Sequence, residues 1–371
     1  MTLRARVTRA AMPLCVLPAG VGPRPIAPRV LVVAHRGASA LRPEHTLAAY
    51  RKAIEDGADV IEPDLVLTRD GVLVARHENE LSGTTDVADV VEFAARRTTK
   101  TIDGVPLTGW FTEDFTLAEL KRLRARERIP AQRPANARFD DQLEIPTLAE
   151  VIVLARELSA RTGRTIAIYP ETKHPSHFQR IGLPLEARLI AALRADPFTA
   201  AQADVFIQSF ETANLKALRA AIGTSQPNWR LVQLMDEAAR RPYDFTAAGS
   251  MRTYGELMSA AGMREVAGYA DAVGPLKHSV IALDAGGALG ALGAPTDLVA
   301  NAHAAGLLVH PYTFRPENAF LPAPLRAAGG EATRSPAGAV AEIQAYLRAG
   351  IDGFFTDDPA LGRQAVDTLA R

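Results

Sequence analysis

The chain has 371 residues, 47% of them hydrophobic, with 42 basic against 42 acidic side chains; it can bury a large core and is not disordered throughout. With no basic excess, nothing marks an electrostatic nucleic-acid binder. One cysteine, Cys15, excludes an intrachain disulfide or a cysteine-built zinc site, and no apolar run reaches the roughly 18 residues that span a bilayer.

Residues 1–29 read as a leader. Arg4, Arg6 and Arg9 precede the mildly apolar AAMPLCVLPAGVG, which Pro13 and Pro18 interrupt and no A-x-A site follows. A signal peptide and a disordered lead-in fit equally well. From residue 30 onward, β-rich runs alternate with helical patterns. Strands are predicted at 30–35, 60–67, 72–77, 166–173, 204–210, 230–235, 271–277, 307–313 and 353–358. Several start apolar on both faces, as parallel strands covered on each side do. Helices are predicted at 45–57, 147–160, 211–222 and 336–350, the first with Leu47, Tyr50 and Ile54 on one stripe.

This alternation predicts one α/β domain over 30–371, a TIM (β/α)₈ barrel with loop insertions. An open sheet is disfavoured because no dinucleotide-type glycine fingerprint follows the first strand. Two stretches break the rhythm, 80–145 (with a helix expected at 114–127) and 236–262. Both read as insertions on the barrel's loops.

In such a barrel, functional side chains gather at the C-terminal ends of strands. The polar residues there are His35 and Arg36, Glu62 and Asp64, His77, Glu171 and Lys173, and His310 and Arg315. Glu62 and Asp64 are two apart, so both point to one face of their strand. Two carboxylates side by side are costly without a cation. Glu171 and Lys173 repeat the spacing, and three carboxylates without a thiol make a hard oxygen site for a divalent cation, Ca²⁺ or Mg²⁺ rather than zinc. Taken singly, each carboxylate reads as a solvated strand-end charge; the set does not. His35 and His77 titrate near neutrality and form a candidate acid–base pair. Arg36 and Lys173 suit a phosphoryl group, and His310 is grouped with them as substrate-binding. Gly37 permits a sharp turn off the first strand. Glu44 lines the site or merely charges a helix N-terminus.

HRGASALRPEHTLAAY, DVIEPDLVLTRDGVLVARHE and IAIYPETKHP, followed by IQSFE, LVQLM, LVHPYTFR and GFFTDDP, resemble the glycerophosphodiester phosphodiesterase family, most closely its periplasmic bacterial branch. The resemblance is collinear from about Val30 to the C-terminus. It implies Glu62, Asp64 and Glu171 as metal ligands, with Ca²⁺ ahead of Mg²⁺. It implies His35 and His77 as general acid and base, and Arg36 and Lys173 as phosphate contacts. The implied substrate is a small glycerophosphodiester, cleaved to sn-glycerol 3-phosphate and an alcohol after attack by the substrate's own hydroxyl, in an extracytoplasmic setting. Two departures stand out: Pro63 between the strand carboxylates, where a local bulge is expected, and Glu78-Asn79 after His77, where Asp-x is commoner. A second reading is a phospholipase D-like hydrolase of lysophospholipids or sphingomyelin, which would need an apolar rim; the aromatics for one are Phe93, Trp110, Phe111 and Phe115. A third is a barrel that binds phosphodiesters without cleaving them.

Overall fold

A computed structural model describes residues 29–284 and 290–369. Cys15 and the expected leader, apart from Arg29, lie outside them.

The eight barrel strands are β1 (Leu31–His35), β2 (Val60–Glu62 with Asp64–Leu67), β3 (Ala167–Ile168 with Glu171–Thr172), β4 (Val205–Ser209), β5 (Trp229–Met235), β6 (Ala272–Pro275), β7 (Leu308–Val309) and β8 (Gly353–Thr356). From β1 to β7, each pairs in parallel with the next. The ring closes where β8 pairs with β1 and is stitched to the chain after β7, with Asp352 N donating to Val309 O and Phe355 N to Pro311 O, both at 3.0 Å. Helices follow the strands in turn: α1 (Leu47–Glu55), α2 (Leu148–Thr162), α3 (Leu185–Ala195), α4 (Thr212–Ile222), α5 (Ala260–Val266), α6 (Leu298–Ala304), α7 (Pro336–Arg348) and α8 (Pro359–Asp367). This is the TIM barrel expected from the alternation.

Two apolar layers explain why the strands are buried on both faces. Val32 and Ala34 of β1 pack outward into the strand–helix core, while Val33 points inward with Val60, Tyr169, Phe206, Val232 and Phe355 to fill the barrel. The predicted strand at 72–77 forms over Leu73–Ala75 but pairs antiparallel with Asp64–Leu67, a hairpin outside the ring. The bulge expected at Pro63 does not occur. Val60 pairs with Ala167 and Asp64 with Glu171, so the register offset is unchanged across the break. Pro63 and Pro170 each lack a ladder donor, yet both carbonyls still accept, from Glu171 N and Gln208 N at 2.9 Å.

Within 80–145, Thr98–Ile102 and Val105–Gly109 form a hairpin. The helix expected over 114–127 forms only at Leu117–Leu120, started by a Thr116–Glu119 capping box. It stops because the following backbone is engaged elsewhere: Arg124 N donates to Asp86 Oδ1 and Ala125 N to Leu143 O, both at 2.8 Å. Phe93, Trp110, Phe111 and Phe115 are all buried, so they form no exposed rim.

The turn after β1 depends on Gly37, whose φ is +87° and whose added Cβ would sit 2.7 Å from both Cβ and the carbonyl carbon of Ala49. Gly37→Ala is expected to destabilise the fold by about 2 kcal/mol or more, through the left-handed conformation and the clash together. A urea midpoint equal to wild type would refute this.

Candidate active site

Barrel geometry delivers the strand-end residues to one mouth. His35 lies level with Glu62 across the β1–β2 ladder, and Asp64, Glu171 and Gln208 occupy one level across β2, β3 and β4. Carboxylate oxygens of Glu62, Asp64 and Glu171 come within 4.8 Å of one another. They line a pocket of about 120 Å³ together with His35, Arg36, His77 and Lys173. Seven of the eight residues singled out as catalytic, substrate-binding or metal-ligating therefore converge.

His310 does not. It is fully buried beneath the mouth, with Nδ1 3.0 Å from the Tyr169 hydroxyl and its ring against Phe206. It belongs to the barrel filling rather than to the pocket lining.

Each carboxylate is fixed by donors. Glu62 accepts from Arg36 N at 2.7 Å and from Gln208 Nε2 at 2.9 Å. Asp64 Oδ2 lies 2.9 Å from His45 Nε2 and 3.4 Å from Arg36 Nε. Glu171 accepts from Lys173 Nζ at 2.8 Å. Burial, then repulsion from Asp64 and Glu171, pushes the Glu62 carboxyl well above its ordinary range. Burial likewise raises Glu171 to about 8, against the pull of Lys173. For Asp64 burial acts upward too, but Lys173 and His45 together hold it well below. Two fixed cations thus do not satisfy three buried carboxylates. Gln208 Oε1 is also buried without a hydrogen-bond partner. An all-oxygen cluster short of positive charge fits a hard divalent cation.

The two histidines are held alike. His35 Nδ1 sits 2.6 Å from Asp357 Oδ1, and His77 Nδ1 sits 2.5 Å from Glu78 Oε1. A carboxylate on Nδ1 fixes the tautomer and leaves Nε2 for the pocket. Burial, then Arg36, lowers His35 to about 4. His77 is lowered by the same two effects and by Lys173, although 30% of its side chain remains exposed.

Sequence reasoning missed His45, Gln208 and Asp357. Asp357 directly follows the last strand, in GFFTDDP, but nothing local links it to a histidine 322 residues away. Arg315, noted at a strand end, donates Nε to Asp357 Oδ2 at 3.0 Å and lines the pocket. Glu44 does more than charge a helix terminus: its Oε2 accepts from Arg36 Nη1 at 3.1 Å.

A barrel mouth that combines a cation-seeking carboxylate cluster, two fixed positive charges and two tautomer-locked histidines defines a hydrolase built for a phosphate ester. The chain belongs to the glycerophosphoryl diester phosphodiesterase family, whose sequence profile it matches over residues 35–361; it is an enzyme that hydrolyses glycerophosphodiesters. It is 35% identical over 338 residues to a glycerophosphodiester phosphodiesterase of Arabidopsis thaliana, covering 88% of this chain and 82% of that protein. It is 29% identical over 257 residues to the Haemophilus influenzae glycerophosphodiester phosphodiesterase, covering 66% and 68%. Among solved structures, one of the same family from Silicibacter pomeroyi superposes with a TM-score of 0.61 at 21% identity, over 91% of this chain and 93% of that one. An Oleispira antarctica phosphodiesterase, solved with the product sn-glycerol-3-phosphate, gives 0.55 at 19%, over 91% and 97%. These two likenesses bear on the fold.

Proposed function

We propose that the chain cleaves glycerophosphodiesters to sn-glycerol 3-phosphate and an alcohol by divalent-cation-dependent, histidine acid–base catalysis. One observation carries this reading: Glu62, Asp64 and Glu171 meet within 4.8 Å in a pocket that His35 and His77 also line. Bound at the three carboxylates, a divalent cation (Ca²⁺ ahead of Mg²⁺) would supply Lewis-acid polarisation of a phosphoryl oxygen. Arg36 and Lys173 grip the phosphate and disperse the charge that develops on it. One imidazole takes the proton from the substrate's glycerol hydroxyl as that oxygen attacks phosphorus. The other, protonated in the complex with the anionic substrate, donates from Nε2 to the departing alcohol. The same pair with roles exchanged opens the resulting cyclic phosphate with water. The bound product in the Oleispira antarctica structure supports sn-glycerol 3-phosphate as the released species.

The lipase reading has one observation in its favour. A larger cavity of about 620 Å³, lined by Leu276, Leu283, Phe320 and Leu321, shares Tyr312 and Arg315 with the catalytic pocket and could hold an apolar tail. Against it, the aromatics proposed as a membrane rim are buried. Glycerophosphocholine is expected to turn over at least about tenfold faster (kcat/KM) than lysophosphatidylcholine, a margin worth about 1.4 kcal/mol. The opposite ranking, in a coupled assay of the released alcohol, would replace this reading with the lipase one.

A further inference from the structure

The insertion at 80–145 sends two arginines, five residues apart, toward the two catalytic histidines without placing either in the pocket. Arg128 forms a two-pronged pair with Glu78, at 2.8 and 2.7 Å, and another with Glu44, at 2.8 and 2.6 Å. Glu78 is the carboxylate on His77, and Glu44 holds Arg36. Arg133 is buried and donates Nη2 to Asp357 Oδ2 at 2.5 Å, Nε to Glu317 at 2.8 Å and Nη1 to the Ser39 carbonyl at 2.8 Å. Asp357 is the carboxylate on His35. Each histidine therefore ends a chain of imidazole, carboxylate and guanidinium, and both guanidinia come from one irregular segment.

We infer that this insertion positions the proton-transfer pair: Arg128 sets Glu78 on His77, and Arg133 sets Asp357 on His35. Arg128 engages both oxygens of Glu78 and so fixes its plane as well as its place. Arg133, its own plane set by both oxygens of Glu317, holds with Nη2 the Asp357 oxygen that faces away from His35, and each carboxylate fixes the tautomer and tilt of its ring. The two guanidinia engage four acids, Glu44, Glu78, Glu317 and Asp357. Two of these carry the histidines and a third, Glu44, holds Arg36, which an insertion that only covered the barrel would not require. The inference rests on His35 and His77 being the acid–base pair.

Arg128→Met and Arg133→Met are each expected to lower kcat on glycerophosphocholine by about 10- to 100-fold, the range for losing an outer-sphere partner, while KM moves less than about threefold. Because Arg133 acts through Asp357, Arg133→Met combined with Asp357→Asn is expected to be no slower than Asp357→Asn alone. In proton NMR, the far-downfield His35 Nδ1–H signal is expected to move upfield in Arg133→Met and to stay in place in Arg128→Met. If Arg133→Met does not fold, Arg133→Lys carries the test, since it keeps the charge but cannot hold Asp357, Glu317 and the Ser39 carbonyl in the guanidinium's fixed geometry. Wild-type kcat in these variants, or losses that multiply in the double variant, overturns the inference. Active His35→Ala or His77→Ala enzyme would instead sink the acid–base reading beneath it.

Discussion

Replacing His35 or His77 with alanine is expected to lower kcat by about 10²- to 10⁴-fold, the contribution of a positioned general acid or base, and to leave the melting temperature close to wild type. The second half of this expectation follows from the ion pairs behind each ring. Deleting an imidazole usually strands its carboxylate, and a stranded buried charge is strongly destabilising. Here Asp357 keeps Arg133 and Arg315, and Glu78 keeps both prongs of Arg128. Neither acid is left alone. Circular dichroism melts beside single-turnover rates give the check: near-wild-type rates in either variant remove that histidine from the chemistry, and collapse of the fold means that the compensation is not real.

The second large effect concerns the cation. Chelation is expected to cost at least about 10³-fold in turnover, the equivalent of several kcal/mol of charge stabilisation. The metal-free protein should then respond to pH in an unusual direction. Glu171 has a folded value near 8, above its ordinary 4.5, and Glu62 is displaced the same way. Between those limits the folded state holds protons that the unfolded chain has released, so stability falls as pH rises through that window. Asp64 runs oppositely, but its contribution is lost only below about 4. A divalent cation does the protons' work. Added Ca²⁺ or Mg²⁺ should therefore raise Tm strongly at pH 8, weakly at pH 5, and release protons on binding. Glu62→Gln should raise the Tm of metal-free protein at pH 8 while abolishing activity. Full turnover in chelator, or a Tm indifferent to both ions, would show that the carboxylates hold no metal.

What could be read from the chain alone follows the range of the physics involved. Alternating strands and helices, and carboxylates spaced i, i+2 on one strand, are local periodicities; from them came the barrel and the Glu62–Asp64–Glu171 cluster. His310 shows where local reading fails. LLVHPYT reads as a strand over 307–313 with His310 among its functional end residues, yet ladder bonds continue to Phe314, whose N donates to Phe355 O at 2.8 Å. The histidine therefore faces the barrel filling, and the mouth is reached by Tyr312 and Arg315. The expected 114–127 helix failed for a related reason: distant acceptors took the backbone donors that would have extended it. Asp357, Arg128 and Arg133 could not be assigned locally, because each acts on a residue at least 50 positions away.

Pairing of the first barrel strand with the last has a cost that appears only while the protein is being made. On the ribosome β1 emerges first of the eight strands, and its open edge finds its partner only when Gly353–Thr356 has been synthesised. Throughout elongation the growing sheet keeps two bare edges, the feature most prone to sticking to other chains. A nascent polypeptide of this fold therefore carries both edges exposed until Gly353–Thr356 has cleared the exit tunnel.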